Sequence, residues 1–213
     1  MNDPVDPRVR AASLLRELGH AFAAQDPDEA TLEMMSRTIG DLIASLEHAP
    51  ERVRTWRREP DRSGPLRDRI PPFGSGASGP MASDSLVTGG ANPMGLGAHL
   101  SRDGDQAVMR VTLGRSFEGA HGRAHGGILA ALMDETMGMA VAMTGEIALT
   151  GRLSITYRGP APIETEVVSR AWIEGRDGRK ITVTGRITAG EATVLEAEGL
   201  FIAVDVDKVI ATA

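Results

Sequence analysis

The chain has 213 residues, a formal net charge of −6, no cysteine, and only four Phe, two Trp and one Tyr. A sizeable core can form, but it has to be aliphatic, as one domain or as a domain of roughly 100–150 residues with an appendage. The absence of cysteine excludes disulfides, thiolate metal sites and cysteine nucleophiles, and the acidic balance argues against nucleic acid or an anionic membrane as partner.

The N-terminus, Met1-Asn2-Asp3-Pro4-Val5-Asp6, is acidic and has no apolar stretch behind it, so no signal peptide is expected and the expected location is the cytoplasm. Residues 8–48 read as two amphipathic helices. Val9, Ala12, Leu15, Leu18 and Phe22 recur at helical spacing in the first, and Leu32, Met35, Ile39, Leu42, Ile43 and Leu46 in the second. Asp26-Pro27-Asp28-Glu29 marks the second start, with Pro expected in the first turn, and Pro50 the stop. The expected division is a helical arm over 1–50, an Arg/Pro/Gly-rich linker over 51–91 and a main domain over 92–213. The Arg run in the linker is compatible with a phosphate site, or, given the interleaved Glu51, Glu59, Asp61 and Asp68, with a solvated or packing segment.

Residues 96–101 and 106–113 read as strands around the hairpin signal Arg102-Asp103-Gly104-Asp105. An almost wholly apolar helix follows from Gly126 to Met143, interrupted by Asp134 and Glu135. Four more strands are expected near 147–158, 164–174, 179–189 and 192–205, with turns at Asp177-Gly178 and Ala189-Gly190. Two strands, a buried helix and four further strands predict an α+β fold, an antiparallel sheet wrapped around a central helix.

A helix apolar around its circumference is expected to be buried, and a carboxylate inside it needs a reason. Asp134 suits a general base or nucleophile, and burial of a carboxylate tends in general to favour the base role. The glycine pair Gly126-Gly127 suits carbonyl polarisation by backbone N–H groups at the positive end of the helix. Asp134 lies about 10 Å along the axis from Gly127, and His125 is half a turn out of phase with Asp134. One chain therefore cannot bring acid and glycines onto one carbonyl, whereas a two-fold dimer can. Neither a serine elbow nor a metal-ligand spacing is present. Structural alternatives stay open: Asp134 as a loop cap, His125 as a backbone-bonded loop residue, Glu135 facing a polar rim or solvent, and Met133, Met137 and Met139 as core or as an adaptable pocket lining.

The run Phe117-Glu118-Gly119-Ala120-His121-Gly122-Arg123-Ala124-His125-Gly126-Gly127, with Asp134 nine residues after His125, resembles the hotdog-fold acyl-CoA thioesterases of the PaaI-like, phenylacetate-degradation branch. Asn92–Leu96 resembles the opening of that domain and Thr150–Pro160 the strand after its helix. The resemblance implies a hotdog domain, dimers or tetramers with sites across the interface, acyl-CoA hydrolysis, and no metal or redox cofactor. It implies Asp134 as base or nucleophile, Gly126 or Gly127 as carbonyl donor, His125 as the residue that positions the turn, and Thr150 as holder of the attacking water, although a strand-start hydroxyl bonded to backbone would look the same. Where related sequences carry a second donor, an Asn, this chain has Gly119, and His121 replaces a small residue. His121 is therefore a candidate contributor at the carbonyl. Arg158, Arg179 and Lys180 are candidates for the nucleotide part of CoA or for solvated charge. An enoyl-CoA hydratase or dehydratase and a non-catalytic acyl-CoA sensor are the alternative functions.

Overall fold

The computed structural model describes residues 6–52 and 83–204. The Arg-rich positions from 53 to 82 lie outside these. Helix α1 (Pro7–Ala24) starts at Asp6, whose carboxylate caps the Arg8 N–H at 2.8 Å, and α2 (Glu29–Glu47) at Asp28, which caps the Thr31 N–H at 2.8 Å. Pro27 therefore precedes the cap and does not sit in the first turn, because the Asp28 side chain is the one that reaches the free amide. α1 leans on the main domain. Arg16 donates to the carbonyls of Gly90 and Asn92, His20 Nδ1 accepts from the Ser116 N–H, and Ala12 is buried. α2 has no buried residue.

The domain itself runs β1 (His99–Asp103), β2 (Gln106–Thr112), a short 3-10 turn at Arg115–Phe117, α3 (Gly126–Ala142), β3 (Ala148–Tyr157), β4 (Glu166–Asp177), β5 (Lys180–Ala189) and β6 (Ala192–Ala203). Every strand pairing is antiparallel, in the order β1-β2-β4-β5-β6-β3. This is the expected α+β arrangement. α3 crosses one face of the sheet, so β3 lands on the edge opposite β1. Gly104, Gly178 and Gly190 take the positive φ that the three tight turns demand.

The aliphatic core lies between α3 and the sheet, with Met109, Leu113, Leu132, Ile181, Leu195 and Phe201 fully buried. Met133 and Met137 belong to this core. A Cβ at Gly185 would lie 2.4 Å from Met133 Sδ, and one at Gly199 2.9 Å from Met137 Sδ, so the two glycines let the helix settle onto the sheet. Met139 is only half-buried. Thr136, the one polar residue on the buried stripe, donates to the Leu132 carbonyl at 2.6 Å and shares a 2.8 Å bond with Ser169.

Two expectations need correcting here. α3 is not buried around its whole circumference: Leu129, Leu132, Met133, Thr136, Met137, Ala140 and Val141 form one buried stripe, while Asp134, Gly138 and Met139 stay half-exposed. The sheet covers one side of the helix, and among the described residues the face that carries Asp134 stays partly open. Residues 83–91, grouped by composition with the linker, pack onto the domain, with Val87 and Ala91 buried. No helix among the described residues is long and apolar enough to cross a membrane.

Candidate active site

His125 is the N-cap of α3. Its ring Nδ1 accepts the Gly127 N–H at 2.9 Å, and its own N–H donates to the Phe117 carbonyl at 2.8 Å. The loop ahead of it is pinned by Gly119 N–H to the Arg123 carbonyl, by Ala124 N–H to the Ala161 carbonyl and by the Glu118 carboxylate on the Gly122 N–H. The His125 side chain thus satisfies one of the orphan amides at the helix start. Gly127 is therefore already engaged. The Gly126 N–H makes no hydrogen bond among the described residues, which leaves it as the available donor at the positive end of α3.

Asp134 lies two turns further along the same continuous helix, half-buried. Thr150 Oγ1 donates to its Oδ1 at 2.8 Å. A backbone irregularity makes this bond possible. Leu153, Ile155 and Tyr157 share the face of β3 that looks onto α3, and strict alternation would give the next place on that face to residue 151. The pairing of β3 with β6 slips between Thr150 and Arg152, so Gly151 is a bulge. The extra residue reverses the alternation and swings Thr150 onto the helix side.

At the other end of the strand, Tyr157 Oη donates to the Gly126 carbonyl at 2.9 Å. One strand, running opposite to α3, therefore touches both the acid and the helix start. Sequence reasoning singled out Arg158 next door and missed Tyr157. The signals were present in the chain's only tyrosine and its place on the inward face of the strand.

Glu135, partly exposed, faces a polar rim: Ser85 Oγ lies 2.5 and 2.7 Å from its two carboxylate oxygens, and Thr88 Oγ1 donates at 2.8 Å. The hydroxyls of a segment without regular structure take the charge that the helix cannot hide, which ties that segment to α3 at Glu135. Gly119 fits the close pass of the loop over the cap, since a Cβ there would sit 2.8 Å from His125 Cα; an Asn at this position would need the backbone to move. His121 is fully exposed at the loop tip, with Nδ1 3.8 Å from Glu118, and reaches neither Gly126 nor Asp134 in this chain.

Arg158 Nε is paired with Glu196 at 2.7 Å. Arg179 and Lys180 stand exposed at the β4–β5 turn, and Lys180 aligns through Ile202 with Leu149, while Tyr157 aligns with Leu195. The two basic groups therefore lie at opposite ends of β3, about 25 Å apart at strand rise, and do not form one anion site within a chain. Arg176 is engaged by Glu146 at 2.8 Å. Among the described residues no group of three or more His, Asp or Glu could hold a metal ion.

Residues 121–196 match the family model of the thioesterase superfamily. The acyl-coenzyme A thioesterase THEM4 of Mus musculus is 35% identical over 97 residues, which are 45% of this chain and 42% of that protein. THEM4 of Rattus norvegicus is 32% identical over 120 residues, 54% of this chain and 52% of the relative. The chain thus spans about half the length of the curated relatives it matches. Among solved structures, the crystal structure of a thioesterase superfamily protein superposes with a TM-score of 0.75 at 25% identity, covering 95% of this chain and 93% of the other. That coverage takes in the N-terminal helices as well as the sheet.

Proposed function

We propose that this chain, which carries a hotdog domain of the thioesterase superfamily, hydrolyses an acyl-CoA thioester to the free acid and CoA at a site shared by two copies. The observation that carries the reading is the 2.8 Å bond between Thr150 and Asp134, on the strand that also touches Gly126. Asp134 and Gly126 are eight residues apart on one helix, about 12 Å along its axis, too far to act on one carbonyl. β3 is an edge strand, with Leu149 and Tyr157 more than half exposed. Two-fold antiparallel pairing along that edge, centred between Leu153 and Ser154, sets Thr150 of one copy beside Tyr157 of the partner subunit. The acid of one copy then faces the helix start of the other.

In this arrangement the Gly126 N–H receives the thioester oxygen and stabilises the charge that develops there. The Asp134 carboxylate takes a proton from water as the water oxygen attacks the carbonyl carbon. Thr150 donates to one carboxylate oxygen, which leaves the other to accept from that water. Collapse of the tetrahedral species breaks the carbon–sulfur bond, and the CoA sulfur leaves as thiolate and takes up the proton. Water and thioester balance acid and thiol, so the step calls for no metal or redox partner. The same two-fold brings Arg158 of the partner subunit toward the end of β3 where Arg179 and Lys180 lie, a basic rim suited to the CoA phosphates. THEM4, whose name states acyl-coenzyme A as substrate, supports the substrate class.

The test is free-thiol release from a panel of acyl-CoAs. Wild-type protein is expected to release CoA, and Asp134→Asn and Asp134→Ala are each expected to lower kcat by at least about 100-fold. Full activity in both variants removes Asp134 from the mechanism.

A further inference from the structure

Hydrolysis as described gives Tyr157 no task. Its ring continues the inward face of β3 begun by Leu153 and Ile155, yet the residue remains 52% exposed. A phenol so placed could satisfy itself with water, but instead it donates to the Gly126 carbonyl at 2.9 Å. The fit is close on both sides. A Cβ on residue 126 would fall 3.1 Å from Tyr157 Oη and 3.2 Å from Cζ, so the ring lies against the helix start where glycine leaves room. Gly126 and Gly127 carry the greatest backbone freedom of any residue pair. Gly127 is tethered by the His125 ring, whereas the Gly126 N–H has no partner among the described residues. Among the described residues, the hydroxyl of Tyr157 is therefore the one side-chain tether on the residue whose amide must be aimed.

We infer that Tyr157 is a positioning residue for the carbonyl-binding amide, an inference that rests on the hydrolysis reading above. Its hydrogen bond fixes the Gly126–Gly127 peptide, while the His125 carbonyl, accepting from the Ile128 N–H at 3.0 Å, holds the peptide that carries the Gly126 N–H, so the two together set the direction of the N–H that meets the thioester oxygen. Donation to the Gly126 carbonyl also polarises the Gly126–Gly127 peptide, which strengthens the Gly127 N–H bond to His125 and stiffens cap and tether together. Carbonyl donors act only within a few tenths of an ångström of their place, and misplacement by 1 Å costs on the order of 100-fold in rate. Tyr157 passes no proton to the substrate, because its own is committed to Gly126.

The experiment compares wild type, Tyr157→Phe and Asp134→Asn in thiol release, with amide hydrogen exchange across residues 125–129. Tyr157→Phe keeps the ring and removes only the tether. The expected result is a kcat lowered about 3- to 10-fold with KM within about twofold. The pH–rate profile should keep its shape, the melting temperature should hold, and the amides of 125–129 should exchange faster. Wild-type kcat together with wild-type exchange overturns the inference while leaving Asp134-dependent hydrolysis intact. A loss of rate that tracks a matching loss of melting temperature, or dissociation into single chains, also overturns it by making the role structural. If wild-type protein releases no thiol, the hydrolysis reading falls, and unchanged exchange in Tyr157→Phe then ends the tether as well.

Discussion

Asp134 and Thr150 are 16 residues apart in sequence and 2.8 Å apart in space. The hydroxyl leaves one carboxylate oxygen fully available, and removing it without changing side-chain shape is a clean test. Thr150→Val is expected to lower kcat about tenfold while the protein stays folded, checked by thiol release beside a thermal melt. Asp134 stood out in the sequence because acid in an apolar helix is costly, and His125-Gly126-Gly127 because glycines at a helix start expose amides. The division of labour within that turn was not legible. Whether Gly126 or Gly127 is free depends on which amide the His125 ring takes, and a χ angle decides that. Glu135 could not be placed either, since its partners Ser85 and Thr88 lie some fifty residues upstream in a stretch with no periodicity. Gly119 carries a prediction of its own. Gly119→Asn should not rebuild a second carbonyl donor but should destabilise by about 1–3 kcal/mol, visible as a lower melting temperature, because its Cβ collides with the backbone of His125.

At the level of elements, alternation and turn chemistry locate β2, β5 and β6 to within about two residues, and the caps locate the helices, because these depend on neighbours in sequence. The face that Thr150 occupies was hidden by the same rule. Strict alternation groups it with Arg152, Ser154 and Thr156, and only the bulge at Gly151 moves it to the helix side. Deleting Gly151 would set Thr150 directly before Arg152, where plain alternation still turns it to the helix, so thiol release should survive the deletion far better than Thr150→Val. The β4–β5 hairpin is tied to the loop after α3 by Arg176 and Glu146. The hydrogen bond from Arg176 holds the Glu146 carboxyl below its ordinary value near 4.5, partly opposed by burial. A lowered folded value means that the pair stabilises above the ordinary value, and that this contribution is lost as pH falls through the folded one. Glu146→Gln is therefore expected to melt slightly below wild type at pH 7, with the gap closing as pH falls through the lowered value of the folded carboxyl. The effect is small because both side chains meet solvent.

For the whole molecule, the sheet ends in two edges of different character, five residues at β1 and ten at β3. A long uncovered edge beside a half-covered apolar helix invites pairing, and light scattering is expected to give twice the 22.5 kDa chain mass or a multiple of it. Complementation tests the shared site directly. Asp134→Asn and Gly126→Val should each be inactive as pure dimers, yet mixed and allowed to exchange they should recover about a quarter of wild-type activity, because each mixed pair contains one undamaged site. No recovery after proven exchange would assign acid and amide to the same chain. The N-terminal helices were legible as amphipathic but not in their docking, since Arg16 reaches the Gly90 and Asn92 carbonyls across more than seventy residues of sequence. An enzyme whose halves are supplied by separate molecules gauges its own abundance: below the concentration at which pairs come apart, activity per milligram should fall with each dilution and return on reconcentration, giving an upward-curving plot of rate against protein.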